Sequence, residues 1–332
     1  MNVCVVGLGA VGGLIAARLA RAGAAVSALA RGDTLAAVRA HGLRLHDGPA
    51  VDAVPIQASD DPAALPAADL VVLAVKAHAL AAAAPQVAAL LGRNARACVL
   101  SAMNGVPWWF FDGFGGPLAG ARLESVDPDG AIARAIPPQR VLGAVVHLSS
   151  SAPEPGLVRP GRGNRLILGE PDGARSQRLQ HACAALEAGG FEVEASGRIR
   201  QDAWYKLWGN MTMNPVSALT GATSDRILDD PLVARFCADA MREAAAIGAR
   251  IGCPIDETPE ARSVVTRRLG SFRTSMLQDV DAHRPVELDA LLTAVREIGR
   301  RAGVPTPTID ALLGLTRLRM RTLGLYPPGQ NG

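Results

Sequence analysis

Val3-Cys4-Val5-Val6-Gly7-Leu8-Gly9-Ala10-Val11-Gly12 decides the fold. Its first four residues are an unbroken apolar run, the pattern of a strand buried on both faces. Leu14 to Ala22 then suits a helix stopped by Gly23, and Ala25 to Leu29 suits a second strand. A lone G-x-G-x-x-G is a weak signal. Between a strand and a helix, in a unit of about 30 residues, it is a strong one. Its glycines permit a tight turn, close backbone approach to a pyrophosphate, and close helix–strand packing. The N–H groups at the helix start then face the phosphates. Gly7, Leu8, Gly9, Ala10, Val11 and Gly12 are therefore the expected dinucleotide-binding turn.

The end of the second strand bears on which dinucleotide binds. An acidic residue there would hold the ribose 2′-OH of NAD. Here the strand runs into Ala30-Arg31-Gly32-Asp33, and Arg31 can pair with a 2′-phosphate. Arg31 favours NADP, with Asp33 as the residue that leaves NAD open. The strand-and-helix pattern then continues. Asp69 to Val75 reads as a strand ending in Lys76-Ala77-His78, and Leu80 to Leu91 as a helix. Ala97 to Ser101 reads as a strand ending in Ala102-Met103-Asn104-Gly105. In open parallel sheets ligands sit beyond the carboxyl ends of strands, where Lys76 and Asn104 both fall. An asparagine before glycine is also an ordinary turn residue.

Composition narrows the class. The chain has 332 residues, which at about 100–200 per domain suggests two domains. It is 49% hydrophobic and 20% charged, so it can build a core and is not a disordered chain. A net charge of +3 gives no electrostatic footprint for nucleic acid or an anionic membrane. The five cysteines are odd in number, widely spaced and free of C-x-x-C pairs, which argues against a disulfide framework or a metal site and for a reducing cytoplasm. No apolar window is long enough for a membrane span. Asn2 to Ala17 is apolar but lacks a basic leader region, and its glycines are explained by the turn. One bias is sharper. Of the 34 basic residues only Lys76 and Lys206 are lysine. Lysine differs from arginine in having a compact ammonium that can shift its pKa and release a proton.

From Val106 to Pro138 the pattern breaks. Trp108-Trp109-Phe110-Phe111 puts four aromatics together in a chain that is 4% aromatic. They can wall a substrate pocket, favouring longer apolar tails, or anchor the loop onto the core or a partner subunit. Val141 to His147 and Arg165 to Leu168 read as strands joined by a Pro/Gly-rich turn, Arg175 to Ala188 as a helix, and Phe191 to Ala195 as a short strand. After Gly197 long helical patterns run to about Leu323. The expected domains are thus 1–197, nucleotide-binding, and 198–332, helical, with a frayed tail from Pro327.

Trp204 to Pro215 reads as a helix in which Lys206, Asn210 and Asn214 stand at i, i+4 and i+8 on one face. A polar stripe on an otherwise apolar helix needs partners. Later come Thr274-Ser275-Met276-Leu277-Gln278-Asp279 and Val286-Glu287-Leu288-Asp289. A serine there can simply cap a helix, and Glu287 after Pro285 can simply favour a helix start.

Taken in order along nearly the whole chain, these blocks resemble the ketopantoate reductase family. The resemblance rests on the GLGAVG turn with Ala30-Arg31-Gly32, on Val75-Lys76-Ala77, and on Met103-Asn104-Gly105. It rests most specifically on Lys206-Leu207-x-x-Asn210-x-x-x-Asn214-Pro215 and on Ser275-Met276-Leu277-Gln278-Asp279 with Glu287. It implies an α/β Rossmann-type doubly wound sheet followed by an all-helical domain of the 6-phosphogluconate-dehydrogenase type, with the active site between them. It implies NADPH-dependent reduction of a small 2-oxo acid to a 2-hydroxy acid, with a homodimer as an allowed assembly. Lys206 would be the catalytic acid, and Asn104, Asn210, Asn214 and Ser275 would hold substrate. Lys76 and Asn104 would lie near nicotinamide and ribose, and Glu287 would serve both cofactor and catalysis. His147 matches a family position. Two departures stand out: the aromatic loop is long, and Ser224 stands where well-known members have another asparagine. The competing readings are a related dehydrogenase of a bulkier hydroxy or amino acid, and an idle NADP-binding regulator. The regulator has no chemical use for Lys206, Asn210, Asn214 and Glu287 together.

Overall fold

A computed structural model describes residues 1–327. The expected fraying beyond Pro327 lies outside the described residues. The first part of the chain runs β1 (Asn2–Val6), α1 (Ala10–Arg21), β2 (Ala25–Leu29), α2 (Gly32–His41), β3 (Leu43–Leu45), β4 (Asp52–Val54), β5 (Gln57–Ser59), β6 (Leu70–Leu73), α3 (Leu80–Gly92) and β7 (Cys98–Ser101). It continues with α4 (Ala131–Ala135), β8 (Val141–His147), β9 (Ser150–Glu154), β10 (Leu157–Pro160), β11 (Arg165–Gly169), α5 (Gln177–Ala188) and β12 (Glu192–Ala195). Helices follow: α6 (Ile199–Thr220), α7 (Ser224–Asp229), α8 (Pro231–Arg250), α9 (Pro259–Arg267), α10 (Ser275–Asp281), α11 (Ala294–Arg301) and α12 (Pro307–Thr322). This is a Rossmann-type α/β layer followed by an all-helical one.

The main sheet has the order β5-β2-β1-β6-β7-β8-β11-β12. The strands from β5 to β8 are parallel, and β11 turns antiparallel against β8. The apolar run of β1 is central among the parallel strands, and Val3 to Val6 are almost fully buried, as a strand covered on both faces requires. The strand order reverses at β1, between β2 and β6, which opens a crevice above their carboxyl ends. The glycine turn leaves β1 there, and Lys76 leaves β6 beside it.

Two expectations are corrected. Helix α1 begins at Ala10 rather than Leu14, so the last residues of the turn are already its first turn. The link between β8 and β11 is no simple turn. It forms the β9–β10 hairpin, which pairs with β3 to make a second sheet, β4-β3-β10-β9.

Apolar clusters cover both faces of the main sheet, and a third fills the helical layer. The aromatic run joins two of them. Trp108 and Trp109 pack in the sheet-side cluster, whereas Phe110 and Phe111 pack with Trp204, Trp208 and Ile247 in the helical one. All four are at most 5% exposed. Trp108 Nε1 donates to the Ile136 carbonyl, and the rings of Phe110 and Phe111 meet edge to face at 5.1 Å. Glu297 on α11 accepts from the backbone of Glu124 and Ser125, tying the same loop to the helices. The chain therefore enters the helical core well before α6. Arg200, on the first turn of α6, is buried among these rings, 4.8 Å from Phe110, 5.3 Å from Phe111 and 3.5 Å from Phe114. Its guanidinium nitrogens have no hydrogen-bond partner among the described residues, and burial pushes its pKa down to about 10. The faces of aromatic rings are what stabilise this cation.

Candidate active site

A cavity of about 400 Å³ opens above β1 and β2. Gly7, Leu8, Gly9, Arg31 and Thr34 line one side, and Pro153 to Gly156 of the β9–β10 turn and Arg284 close others. The turn fits a dinucleotide phosphate on its own geometry. Gly7 has φ +94°, and a Cβ on Gly12 would stand 2.1 Å from the Gly7 carbonyl oxygen. Gly9 precedes α1 with no side-chain cap, which leaves the first N–H groups of the helix open to an anion. Arg31, exposed at the end of β2, lines the cavity, whereas Asp33 does not.

Across the crevice the sheet meets the helices through a charged cluster. Lys76 Nζ lies 2.6 Å from Asp279 Oδ2 and 3.2 Å from Glu287 Oε2. Both carboxylates are nearly buried, and Asp279 also pairs with Arg284 at 3.2 Å. Burial works against the Lys76 charge, but Glu287 and Asp279 outweigh it and raise the ammonium above its ordinary value. Glu287 Oε1 further accepts from the Ala77 N–H at 2.8 Å.

Lys206 lies half-buried on α6. Its Nζ donates to Asn104 Oδ1 at 2.7 Å and to the Val146 carbonyl at 2.6 Å. Asn104 arrives from the loop after β7 and Val146 from the end of β8, so three elements converge on one ammonium. The loop can reach it because Gly105 adopts φ +83° and has no side chain. A Cβ there would stand 2.6 Å from Ala290, whose carbonyl accepts from the Val106 N–H. Burial pushes the Lys206 pKa down from 10.5 to about 8, against the opposing pull of Glu287. His147, next to Val146, is pushed down to about 4 by burial and then by the charges of Lys206, Arg165 and Arg262. It is neutral at pH 7.

Further along the stripe, Asn214 Nδ2 stands 3.5 Å from Ser275 Oγ, and Asn210 is half-buried between Lys206 and Asn214. The cap of α10 is Thr274, not Ser275, so the Ser275 hydroxyl is free to face α6. Ser224 donates to the Gly270 carbonyl and is buried, serving the start of α7. The geometry thus gathers Lys206 with Asn104, Asn214 with Ser275, and Lys76 with Glu287. Gly7, Leu8, Gly9 and Arg31 line the cavity further out, with Ala10, Val11 and Gly12 in the first turn of α1 behind them. The aromatic run does not line that cavity. All four side chains pack into the two cores, as the loop-anchor reading expects. Sequence reasoning assigned no role to Asp279 or Arg284. For Asp279 a signal existed: it stands four residues after Ser275, on the same helical face.

A Rossmann-type sheet followed by a helical domain, with a lysine recessed at their junction, is the architecture of an oxidoreductase of the ketopantoate reductase type. The models described as "Ketopantoate reductase PanE/ApbA" and "Ketopantoate reductase PanE/ApbA C terminal" match residues 3–109 and 198–320. A curated 2-dehydropantoate 2-reductase of Mesorhizobium japonicum is 44% identical over 98% of this chain and 100% of its own. One from Mycobacterium tuberculosis is 30% identical over 95% and 96%. A solved structure from Ralstonia solanacearum, assigned to the ketopantoate reductases, is 57% identical with a TM-score of 0.94, covering 98% of this chain and 99% of its own. The chain belongs to the ketopantoate reductase family. No helix among the described residues is long and apolar enough to cross a membrane.

Proposed function

We propose that this protein reduces a 2-oxo acid to the 2-hydroxy acid with NADPH, with ketopantoate as the first substrate to test. The observation that carries the reading is the Lys206 ammonium, recessed at the sheet–helix junction with its pKa lowered to about 8. Bound NADPH supplies the hydride that reduces the carbonyl carbon. Lys206 has three N–H donors, and Asn104 and Val146 occupy two. The third donates to the substrate carbonyl oxygen, stabilises the charge as the alkoxide forms, and then gives up its proton there. Asn104 fixes the direction of that third bond. Asn210, Asn214 and Ser275 orient the substrate along α6. Glu287 holds Lys76 and the Ala77 backbone, which keeps the helical side closed on the cofactor crevice. Gly7 to Gly12 take the pyrophosphate, and Arg31 the 2′-phosphate, which is the support for NADP over NAD. In this reading residues 1–197 carry the cofactor and 198–332 the substrate. The curated relatives named 2-dehydropantoate 2-reductase support ketopantoate as substrate. The test is NADPH consumption with a panel of 2-oxo acids that includes ketopantoate. No turnover of any of them would overturn the proposal.

A further inference from the structure

A 2-oxo acid carries a carboxylate beside its carbonyl, and a partly buried site must meet that charge with a partner. Most cations around Lys206 are already engaged. Lys76 is held between Asp279 and Glu287, and Arg165 pairs with Glu194. His147 is neutral at pH 7. Lys206 itself is directed to the carbonyl oxygen. Arg262, half-buried on α9, forms no ion pair among the described residues. Its guanidinium stacks on the Tyr205 ring at 4.8 Å and donates one N–H to the Tyr205 hydroxyl at 3.1 Å. That hydroxyl in turn donates to Glu257. The other edge is uncommitted. Arg262 Nε is buried without a hydrogen-bond partner.

The placement of that edge matters. Nε and Nη2 stand 3.5 and 3.6 Å from where a Cβ on Gly209 would be. Gly209 is i+3 from Lys206 and immediately precedes Asn210, so the free edge lies against the same turn of α6 that carries the site. Because residue 209 is glycine, no side chain stands between that edge and the α6 backbone. Arg262 is also close enough to the end of β8 for its charge to act on His147, which feels Lys206 as well.

We infer that Arg262 is the anchor for the substrate carboxylate, and that it makes the site selective for 2-oxo acids over neutral 2-oxo esters and amides. The inference rests on the reductase reading above. A guanidinium edge of Nε and Nη2 takes a carboxylate through two parallel N–H bonds, and stacking on Tyr205 holds its plane.

The test compares the best 2-oxo acid of the panel with its primary amide, in the wild type, Arg262→Met and Arg262→Lys. In the wild type kcat/KM should favour the acid. Arg262→Met should shrink that preference by roughly tenfold to a hundredfold, through KM for the acid, as loss of a charge-assisted pair does. Its kcat and its NADPH dissociation constant, read by fluorescence titration, should stay within about twofold of wild type, because neither depends on ground-state carboxylate binding. Arg262→Lys should recover part of the preference, since it keeps charge without the fork. Oxamate binding to the NADP-saturated protein, read by calorimetry, should weaken in parallel. Wild-type preference for the acid in a folded Arg262→Met protein overturns the inference. If that variant does not fold, an Arg262→Lys protein with unchanged KM for the acid and unchanged oxamate affinity overturns it instead. If the wild type turns over no 2-oxo acid, the reductase reading fails, and the oxamate titration decides on the anchor separately.

Discussion

Lys206 Nζ and Asn104 Oδ1 are 2.7 Å apart, although the residues are far apart in sequence. One sits on a helix and the other on the loop beyond a parallel strand. The bond therefore spans the junction of the two layers and fixes how the ammonium faces the crevice. Burial strips water from the ammonium and outweighs the opposing pull of Glu287, which explains the lowered pKa.

The first expected outcome is a pH profile. Reduction needs Lys206 protonated, and its folded pKa is about 8, below the ordinary 10.5. The rate should hold below that value and fall as pH rises through it. Lys206→Ala should lower kcat by about 10²–10⁴, and Lys206→Arg should restore little, because arginine keeps charge but does not release a proton. Steady-state rates across the alkaline range check this. A rate flat to the ordinary lysine pKa would remove Lys206 as the acid.

Glu287 gives a second test with a definite sign. Its carboxylate raises the Lys206 pKa, against the larger effect of burial. It also neutralises Lys76. Glu287→Gln keeps an acceptor for the Ala77 N–H but removes the charge, so the alkaline limb should move to lower pH. A limb that stays in place or moves upward contradicts the electrostatic link.

Arg31 is tested through cofactor choice. Losing a charge-assisted pair with the 2′-phosphate costs about 1.5–3 kcal/mol. Arg31→Ala should weaken NADPH by roughly tenfold to a hundredfold and leave NADH nearly unchanged. Equal losses for both cofactors in a binding titration would assign Arg31 to some other contact.

The aromatic run is expected to matter for stability rather than substrate choice. Phe110 is buried between Phe111, Trp204 and the Arg200 guanidinium. Phe110→Ala should cost about 3–5 kcal/mol in denaturant unfolding. The ranking of 2-oxo acids by tail length should be the same as in wild type. A changed ranking with unchanged stability would favour the pocket-wall reading.

What could be read from the residues follows from pattern length. The β1 turn, β6, β7 and α6 carry long apolar or periodic signals, and each was legible. The small sheet was not, because β3 and β4 are only 3 residues each and show no period to read. The pairing of Lys76 with Asp279 and Glu287 was out of reach too, since it joins distant segments through tertiary packing alone. The stripe Lys206-Asn210-Asn214 was legible as one face of a helix. That its first member would meet Asn104 depended on a left-handed Gly105, which sequence marks only as a glycine in a turn.

The placement of Phe110 and Phe111 in the helical core has a consequence for synthesis. These rings leave the ribosome long before α6 and α8, the helices that cover them, exist. At about 5–20 residues per second, they wait on the order of ten seconds in an unfinished chain. The N-terminal sheet can close meanwhile, but it does so with an uncovered apolar flap. Cutting the chain after β12 would make that state permanent. The isolated first half should then be sticky, and the isolated second half should have holes in its core where two phenylalanines belong.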